Sequence, residues 1–203
     1  APGTLLPGLR SAIVLQTHYA WPVPADPGGL SGQVSVYAWG RDYHNLIGKR
    51  LRRFVRWLRS EGLGAYAGVD SRPIIERAWA ARSGSGFSGK NCCTITPGTG
   101  SLFFLSVILL DHSLPPDSPL DAGLEQYCGS CTRCLEVCPT QAFEAPGKLD
   151  SRRCLSYLNI EHKGPIPEAL REPMGRWVFG CDLCQTVCPH NHSPPTPQHT
   201  DFA

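Results

Sequence analysis

The sequence has no long hydrophobic run and almost no excess of charge of one sign. Its longest apolar stretch, Leu102–Leu110, is far shorter than the ~20 residues of a membrane-spanning helix, so we expect no membrane association. Nineteen Lys and Arg residues nearly balance seventeen Asp and Glu, which gives a formal net charge of +2. That net charge by itself neither favours nor excludes a nucleic-acid partner. A charged and then apolar secretory leader is also missing, and the first residue is Ala1 rather than Met, which predicts a fragment or processed chain of the cytoplasm.

Cysteine, in contrast, is abundant, with ten residues in a chain of 203. A disulfide scaffold would account for many cysteines, but such scaffolds are usually smaller, secreted and irregularly spaced. Eight of the ten lie in two tight runs and at Cys154. This spacing favours metal ligation in a reducing compartment.

The first cysteine run, CGSCTRCLEVCP, extends from Cys128 to Pro139, and CDLCQTVCP repeats part of it from Cys181 to Pro189. The spacing C-x2-C-x2-C-x3-C-P is that of bacterial ferredoxins, in which the first three thiolates hold one 4Fe–4S cluster and the fourth holds the other. A pair of such clusters needs eight thiolates, and the chain supplies them. The crossed arrangement assigns to the first cluster Cys128, Cys131, Cys134 and Cys188, and to the second Cys138, Cys154, Cys181 and Cys184.

Structural zinc is the alternative interpretation of the cysteine runs, because two CxxC pairs also form a tetrahedral site. Zinc takes four ligands, however, and would leave the other clustered thiols unused. Pro139 and Pro189 follow the last cysteine of each run, as the iron–sulfur pattern requires. The spacing therefore predicts two 4Fe–4S clusters.

Alternating strand and helix patterns precede the cysteine runs. We predict strands at Ser11–Tyr19, Ala65–Val69 and Leu102–Leu110, and a helix from Pro73 to Ala81. A longer helix begins near Asp42. Its spacing places on one face Ile47, Leu51, Phe54, Val55 and Leu58, with arginines opposite.

This order of elements predicts an α/β domain at residues 1–114. Pro115, Pro116 and Pro119 mark a linker. The cysteine domain follows at 120–190, and a proline-rich tail at 191–203 is predicted to be flexible.

Two smaller groups of residues have two interpretations each. Cys92 and Cys93, in the loop GKNCCTI, are redox or cofactor contacts or, as favoured, small buried hydrophobic residues. His190, His192 and His199 suggest a metal site, but in a proline-rich tail we expect them to point into water.

Six stretches resemble the epoxyqueuosine reductase family and run in the family's order over nearly the whole chain. They are YAWGRDYH (37–44), VDSRPIIERA (69–78), GKN (89–91), CGSCTRCLEVCPTQAF (128–143), RRCLSYLNIEHKGPIP (152–167) and FGCDLCQTVCPHN (179–191). The resemblance implies a nitroreductase-like α/β layer that binds cobalamin, followed by a two-cluster ferredoxin-like module. It implies an oxidoreductase that reduces epoxyqueuosine to queuosine in tRNA, with electrons passing through the clusters to cobalamin. We expect a monomer and an unidentified flavodoxin- or ferredoxin-like electron donor.

The family's proton donor is an aspartate in the motif matched by VDSRP, which corresponds to Asp70. Removing an epoxide oxygen takes two electrons and two protons, and the leaving alkoxide needs a positioned acid. We expect burial beside the corrin to keep this carboxyl protonated. The alternative role for Asp70 is a helix N-cap. Pro73 argues against it, because it would take the third helical position and has no N–H.

The other predicted cofactor contacts lie beside the glycine-rich loop or beside a cluster cysteine. They are Lys90, Asn91, Thr94, Ser156 and Asp182. As a bare motif the loop is weak support for phosphate binding, and a simple turn explains it equally well.

The arginines of the long helix are candidate contacts to a tRNA backbone, because phosphate neutralisation dominates nucleic-acid affinity. They are Arg52, Arg53, Arg56 and Arg59. A solvated outer face gives the same pattern and is the commoner explanation. Relatives usually carry a further N-terminal segment and a C-terminal helical-repeat region implicated in holding tRNA, so binding of tRNA and retention of cobalamin are open for this chain.

Two alternative functions remain from the sequence. One is another corrinoid and iron–sulfur reductase, such as a reductive dehalogenase, which would share the cofactors and a general acid. The other is a remnant that only transfers electrons. The motifs SYLNIEHKGPIP and VDSRP favour the tRNA enzyme.

Overall fold

A computed structural model describes residues 2–25, 27–120, 124–197 and 199–202. The helices are α1 (Pro2–Leu5), α2 (Tyr43–Ser60), α3 (Glu76–Arg82), α4 (Leu124–Cys128), α5 (Arg133–Glu136), α6 (Leu155–Ile160), α7 (Glu168–Arg171) and α8 (Leu183–Thr186). The strands are β1 (Ser11–His18), β2 (Gln33–Val34), β3 (Ala65–Gly68), β4 (Phe87–Ser88), β5 (Thr94–Ile95), β6 (Phe103–Leu110), β7 (Phe143–Ala145), β8 (Lys148–Leu149) and β9 (Trp177–Phe179). None of the helices in these ranges is long and apolar enough to cross a membrane.

An antiparallel sheet with the strand order β1–β6–β3 forms the centre of the first half of the chain. Its middle strand, β6, is buried over nearly its whole length, which accounts for the almost continuous apolar sequence FFLSVILL. Phe104 and Ile108 belong to the buried cluster that includes α2, whereas Val107 and Leu109 pack with Ile74 on the other face. The three predicted strands are confirmed to within one residue at each end.

Helix α2 covers one face of this sheet. The Asp42 side chain caps it by accepting a hydrogen bond from the His44 N–H at 2.8 Å. Gly62, with a φ of +82°, ends it. The buried positions of the helix are Ile47, Leu51, Val55 and Leu58, as the spacing predicts. Phe54 differs: it is 39% exposed and stacks on Trp57, because one residue before Val55 the helix has turned by about 100° toward solvent.

The cysteine module is built differently, from helices and strands of two to six residues. Strand β2 of the first half pairs in parallel with β9 of the module, and the Ser35 N–H donates to the Phe179 carbonyl at 2.8 Å. The Asp182 carboxylate accepts hydrogen bonds from the Ser35 hydroxyl and from the Val36 N–H, the latter at 2.7 Å. Gly180 has a φ of +68°, and a Cβ there would lie 2.4 Å from the Cβ of Ser35. A close backbone approach therefore joins the module to the α/β layer.

The structure contradicts the prediction of a flexible tail. Phe202 is 1% exposed, and its ring centroid lies 5.2 Å from that of Phe104 in the core. The Asp201 carbonyl accepts a hydrogen bond from the Arg41 N–H at 2.8 Å. Burial of one aromatic side chain outweighs the polar and proline-rich composition of the preceding residues.

The second predicted helix begins later than expected, at Glu76 rather than Pro73. The residues before it form tight turns, in which the Ser71 N–H donates to the Val69 carbonyl at 2.6 Å and the Ile74 N–H donates to the Arg72 carbonyl at 2.7 Å. These turns bring the segment around Asp70 back toward α2.

Candidate active site and cluster sites

Asp70 lies in the turn after β3, with a φ of +51°. This left-handed conformation is uncommon for a residue with a side chain and is concentrated at functional sites. The Tyr43 hydroxyl donates to Asp70 Oδ2 at 2.5 Å, and His44 Nε2 lies 3.0 Å from the same oxygen. The Asp70 N–H donates to Glu76 Oε1 at 2.8 Å. These contacts hold the Asp70 carboxylate beside the first turn of α2.

The alternative role of Asp70 as a helix cap is wrong, because α3 begins at Glu76 and Ile75 occupies its cap position. The protein alone does not bury the Asp70 side chain, which is 62% exposed, and its expected burial beside a corrin stays a prediction. The carboxyl group is open to a ligand, and its role as a proton donor stays a prediction.

Tyr43 connects the Asp70 carboxylate to the hydrophobic core. Its ring stacks on Phe104 of the central strand, with centroids 4.1 Å apart. Burial raises the pKa of Tyr43, and the hydrogen bond to Asp70 raises it further. Tyr43 therefore remains a hydrogen-bond donor to Asp70 across the physiological pH range.

Two cavities meet at Asp70 and Tyr43. The first, of about 390 Å³, is also lined by Tyr19, Glu76, Arg77, Cys92, Cys93, Thr94, Ser101, Phe103, Phe104, Leu105 and Gln185. The second, of about 700 Å³, has among its other lining residues Tyr37, Arg41, His44, Glu161 and Phe179. Both are formed by residues of the α/β layer and of the cysteine module together.

The four cysteines predicted for the first cluster surround one cavity. Cys128, Cys131, Cys134 and Cys188 line a space of about 200 Å³. Burial raises the pKa of Cys134 to about 11, and the charges of Cys184 and then of the other three cysteines add to the rise. The four thiols are therefore close together, with Cys184 of the other set nearby.

The four cysteines predicted for the second cluster are also neighbours. Burial raises the pKa of Cys181 to about 12, with contributions from Cys184 and Cys154. Burial likewise raises the pKa of Cys154, and Cys184 and Cys138 raise it further. The backbone N–H groups at the start of α6 oppose that rise. The geometry brings both sets together, and their role as ligands stays a prediction.

Within the described ranges, no three His, Cys, Asp or Glu side chains lie close enough together to hold one metal ion.

Lys90 and Asn91 contact the cysteine loops rather than an open cofactor site. Lys90 is buried, and its Nζ donates to the carbonyls of Gly129 at 2.6 Å and Cys131 at 2.9 Å. The Asn91 side-chain amide donates to the Cys184 carbonyl at 3.3 Å. The two residues therefore attach the glycine-rich loop to both cysteine runs, and Lys90 brings a positive charge to the first cavity.

The remaining predicted contacts have mixed outcomes. Asp182 is only 6% exposed, and its carboxylate accepts hydrogen bonds from Ser35 and Val36, so it stabilises the junction. Its contact with a cofactor stays a prediction. The Ser156 N–H lies against the Cys154 sulfur. Thr94 does line the cavity beside Asp70.

Three residues do not lie where the sequence predicts: Cys92, Cys93 and His190. Both cysteines are half-buried and line the cavity beside Asp70, which contradicts the favoured reading as buried hydrophobic residues. A hydrogen bond with Cys93, together with burial, raises the pKa of Cys184. Cys93 thus connects the second cysteine set to the cavity of Asp70.

His190 does not point into water, because its Nε2 lies 3.1 Å from the Tyr127 carbonyl.

The arginine face of α2 forms part of a third cavity, of about 550 Å³. We call it the arginine groove; its charged lining residues are Arg52, Arg56, Arg59 and Arg72, with His44 at one end. Arg53 is exposed and lies outside it. The groove is continuous with the turn of Asp70 through Val69, Ser71 and Arg72.

The fold and the paired cysteine sets define an iron–sulfur protein in which a mixed α/β domain precedes a ferredoxin-like domain. Residues 127–191 match the family profile described as a 4Fe-4S double cluster binding domain. Residues 1–71 match the profile described as Epoxyqueuosine reductase QueG, DUF1730. The predicted fold class is confirmed.

Individual proteins that are similar to the chain are more specific than these two profiles. The epoxyqueuosine reductase of Xanthomonas campestris pv. campestris is 43% identical over 99% of this chain and 58% of its own length. A crystal structure of epoxyqueuosine reductase with an epoxyqueuosine-modified tRNA-Tyr stem loop matches with a TM-score of 0.86 and 34% identity, over 100% of this chain and 54% of that one. A Bacillus subtilis epoxyqueuosine reductase, described with its catalytic aspartate loop swung out of the active site, matches with the same values.

The chain is therefore similar to epoxyqueuosine reductases over nearly its whole length. It spans little more than half the length of these relatives. A reductive dehalogenase, NpRdhA, matches 68% of the chain with a TM-score of 0.53 and 21% identity, a likeness of fold alone.

Proposed function

We propose that the chain is the cofactor-bearing part of an enzyme that reduces epoxyqueuosine in tRNA to queuosine. In this proposal residues 1–114 hold cobalamin and the acid Asp70, and residues 120–190 hold two 4Fe–4S clusters. The protein acts as a cytoplasmic monomer, where a flavodoxin- or ferredoxin-like donor supplies single electrons. The similarity to epoxyqueuosine reductases supports the proposal, and so does the relative whose structure contains a modified tRNA stem loop.

The observation that carries the proposal is the position of Asp70. Its exposed carboxylate lies where two cavities meet, and Tyr43 and His44 hold it there. The smaller cavity reaches the module at Gln185, which lines it, and at Cys93, which raises the pKa of Cys184. A reducing centre on one side and an acid on the other is the arrangement that removal of an epoxide oxygen needs.

The residues around Asp70 fit a large cofactor with many polar groups, such as cobalamin. The lining combines aromatic rings and polar groups, including Phe103, Thr94 and Gln185, with the charged side chains of Glu76 and Arg77. When bound, cobalamin supplies a low-valent metal that acts as the reductant. The chain's own contribution is to orient the substrate, exclude water and deliver protons through Asp70.

The cysteines supply the electron path. We assign Cys128, Cys131, Cys134 and Cys188 to one cluster and Cys138, Cys154, Cys181 and Cys184 to the other, in agreement with their grouping in space. The second cluster is then the one adjacent to Cys93 and the cavity of Asp70.

The arginine groove is the proposed contact for the tRNA backbone. Three arginines of α2 and Arg72 converge beside the turn of Asp70, so phosphates bound there would bring an adjacent nucleotide to the acid. The dehalogenase alternative has no observation of its own beyond the shared fold.

The test is anaerobic reconstitution with iron, sulfide and cobalamin, followed by incubation with tRNA that carries epoxyqueuosine. Mass analysis of the anticodon fragment should show the loss of one oxygen, and iron analysis should give about eight atoms per chain. Asp70→Asn should keep both cofactors and lower the rate about 10²-fold or more, whereas Asp117→Asn, an exposed control, should match the unaltered protein. Full cluster content without bound cobalamin would favour the electron-transfer remnant instead.

A further inference from the structure

A row of hydrogen-bonded side chains leads from the start of α2 to Asp70. His44 Nδ1 lies 2.9 Å from Asp42 Oδ1, and His44 Nε2 lies 3.0 Å from Asp70 Oδ2. Both ring nitrogens therefore contact a carboxylate. The Asp42 and His44 side chains are 53% and 40% exposed, so the row connects solvent with Asp70.

An imidazole between two carboxylates can hold a proton at either end. When Asp70 is ionised, the imidazolium donates to both carboxylates; when Asp70 carries the proton, it donates to Nε2 of the neutral ring. Hydrogen bonding to His44 lowers the pKa of Asp42, so Asp42 stays ionised and keeps a proton on Nδ1. One proton can thus cross the contact of 3.0 Å with no rearrangement of heavy atoms.

The ring of His44 is held in this orientation by packing. It stacks on the ring of Tyr43 with centroids 4.0 Å apart, and Tyr43 stacks in turn on Phe104. The His44 N–H is also bound by Asp42 as part of the helix cap. The contact with Asp70 is therefore built into the fold and does not depend on a mobile side chain.

Epoxide reduction needs more protons than Asp70 can hold. The reaction consumes two electrons and two protons and releases the oxygen as water, while one carboxyl group holds one proton. Tyr43 is a poor second source, because burial raises its pKa. Both hydrogen bonds to the Asp70 carboxylate fall on Oδ2, and among the described residues Oδ1 has no partner. The Oδ1 side of the carboxyl group is therefore open to a substrate. A proton received on Oδ2 reaches that side by rotation of the carboxyl group about the Cβ–Cγ bond.

We propose that His44 is a proton-relay residue that recharges Asp70 within each turnover. The inference rests on the proposed function. Asp70 gives its proton to the epoxide oxygen as the first C–O bond breaks, and the His44 Nε2–H then passes to Asp70 Oδ2. Asp70 gives this second proton as the second C–O bond breaks and water forms, and His44 recovers a proton from solvent. The two 4Fe–4S clusters supply the two electrons.

Other charged groups surround the relay. The titratable and charged residues that line the cavities next to His44 are Arg41, Asp42, Tyr43, Arg52, Arg56, Arg59, Asp70, Arg72 and Glu161, together with Tyr37 and Tyr66. Among these, the carboxylates of Asp42 and Asp70 are the side chains that hydrogen-bond to the ring.

The first test compares His44→Gln with His112→Gln, an exposed control, in reconstituted protein with modified tRNA. His44→Gln should keep its iron and cobalamin and lower turnover by about 10²-fold. Because the relay donates only when the ring is protonated, the pH profile of the rate should differ between the unaltered protein and His44→Gln. Added imidazole should restore part of the rate of His44→Ala. Unchanged turnover and an unchanged pH profile in His44→Gln would overturn the relay.

A second measurement does not depend on activity. The imidazole signals of His44, assigned by their absence in His44→Gln, are followed by NMR against pH in the unaltered protein and in Asp70→Asn. Because Asp70 Oδ2 contacts the ring at 3.0 Å, the pH dependence of these signals should differ between the two proteins. Identical titrations would contradict the contact on which the relay depends. If the unaltered holoprotein removes no oxygen, the proposed function fails, and this titration still decides whether His44 and Asp70 exchange a proton.

Discussion

The α/β layer and the cysteine module are stabilised in different ways. The layer buries one cluster of apolar side chains on each face of β6, including Ile108 on one side and Val107 on the other. Between residues 127 and 187, the buried apolar residues are Ala142, Leu155 and Leu158. So few buried side chains do not offset the conformational entropy of ordering that many residues. The layer can therefore fold through its core, whereas the module depends on what its thiols bind.

The largest expected effect is the response to iron removal. Chelation of the clusters should abolish the hydrogen-exchange protection of amides in residues 127–191 and leave that of β6 nearly unchanged, because metal coordination supplies the folding free energy of the module. Cys134→Ser should reproduce the loss in part. Cys92→Ser is the control, since Cys92 belongs to neither ligand set. Persistent protection of the module without iron would show that the module has a sufficient core of its own.

The difference between the two regions also explains what the sequence could predict. The cysteine sets follow from spacing alone, and the spacing of Ile47, Leu51 and Val55 predicts the buried face of α2, since both patterns are local. Tyr43 and His44 belong to a quoted motif, YAWGRDYH, but their contact with Asp70 joins residues 26 and 27 positions apart. Only the turn after β3 brings them together, and no periodicity encodes that turn.

The residues that join the regions were the hardest to predict. A cofactor contact is predicted for Lys90 because it follows a glycine-rich loop, and for Asp182 because it follows a cluster cysteine. In the structure Lys90 donates to the carbonyls of Gly129 and Cys131. Asp182 accepts from the Ser35 hydroxyl and the Val36 N–H, 147 and 146 positions away. Phe202 was assigned to a flexible tail from composition, although a lone aromatic near the end of a polar segment was an available signal for docking.

The second-largest effect is expected for a substitution in the core of the layer, which should destabilise the layer and leave the module intact. Ile108→Ala removes a fully buried side chain next to α2 and should lower the free energy of unfolding of the layer by about 2–5 kcal/mol. Denaturant unfolding followed by far-UV circular dichroism measures the loss. Iron content per folded chain should stay the same. A parallel loss of iron would mean that the two regions unfold as one cooperative unit.

A smaller effect is expected at the junction of the two regions. Asp182→Ala leaves the Ser35 hydroxyl and the Val36 N–H without their acceptor, which should cost about 1–3 kcal/mol. Faster hydrogen exchange in β2 and β9, with unchanged exchange in β6, should accompany it. Asp117→Ala, an exposed control, should have no effect on either. If β2 and β9 keep their protection in Asp182→Ala, the strand pairing alone maintains the junction.

The smallest expected effect is on the binding of tRNA by the arginine groove. The eight cysteines assigned to the clusters lie in the module, whereas the arginine groove lies in the layer. We therefore expect the layer to provide the contact to the tRNA backbone. Arg56→Gln removes one charge from the groove and should weaken binding of an anticodon stem loop about fivefold at 0.15 M salt, with the salt dependence reduced by about one ion. Arg53→Gln removes the same charge from the same helix outside the groove and should cost much less. Equal losses in the two variants would mean that the net charge of α2, rather than the groove beside Asp70, attracts the RNA.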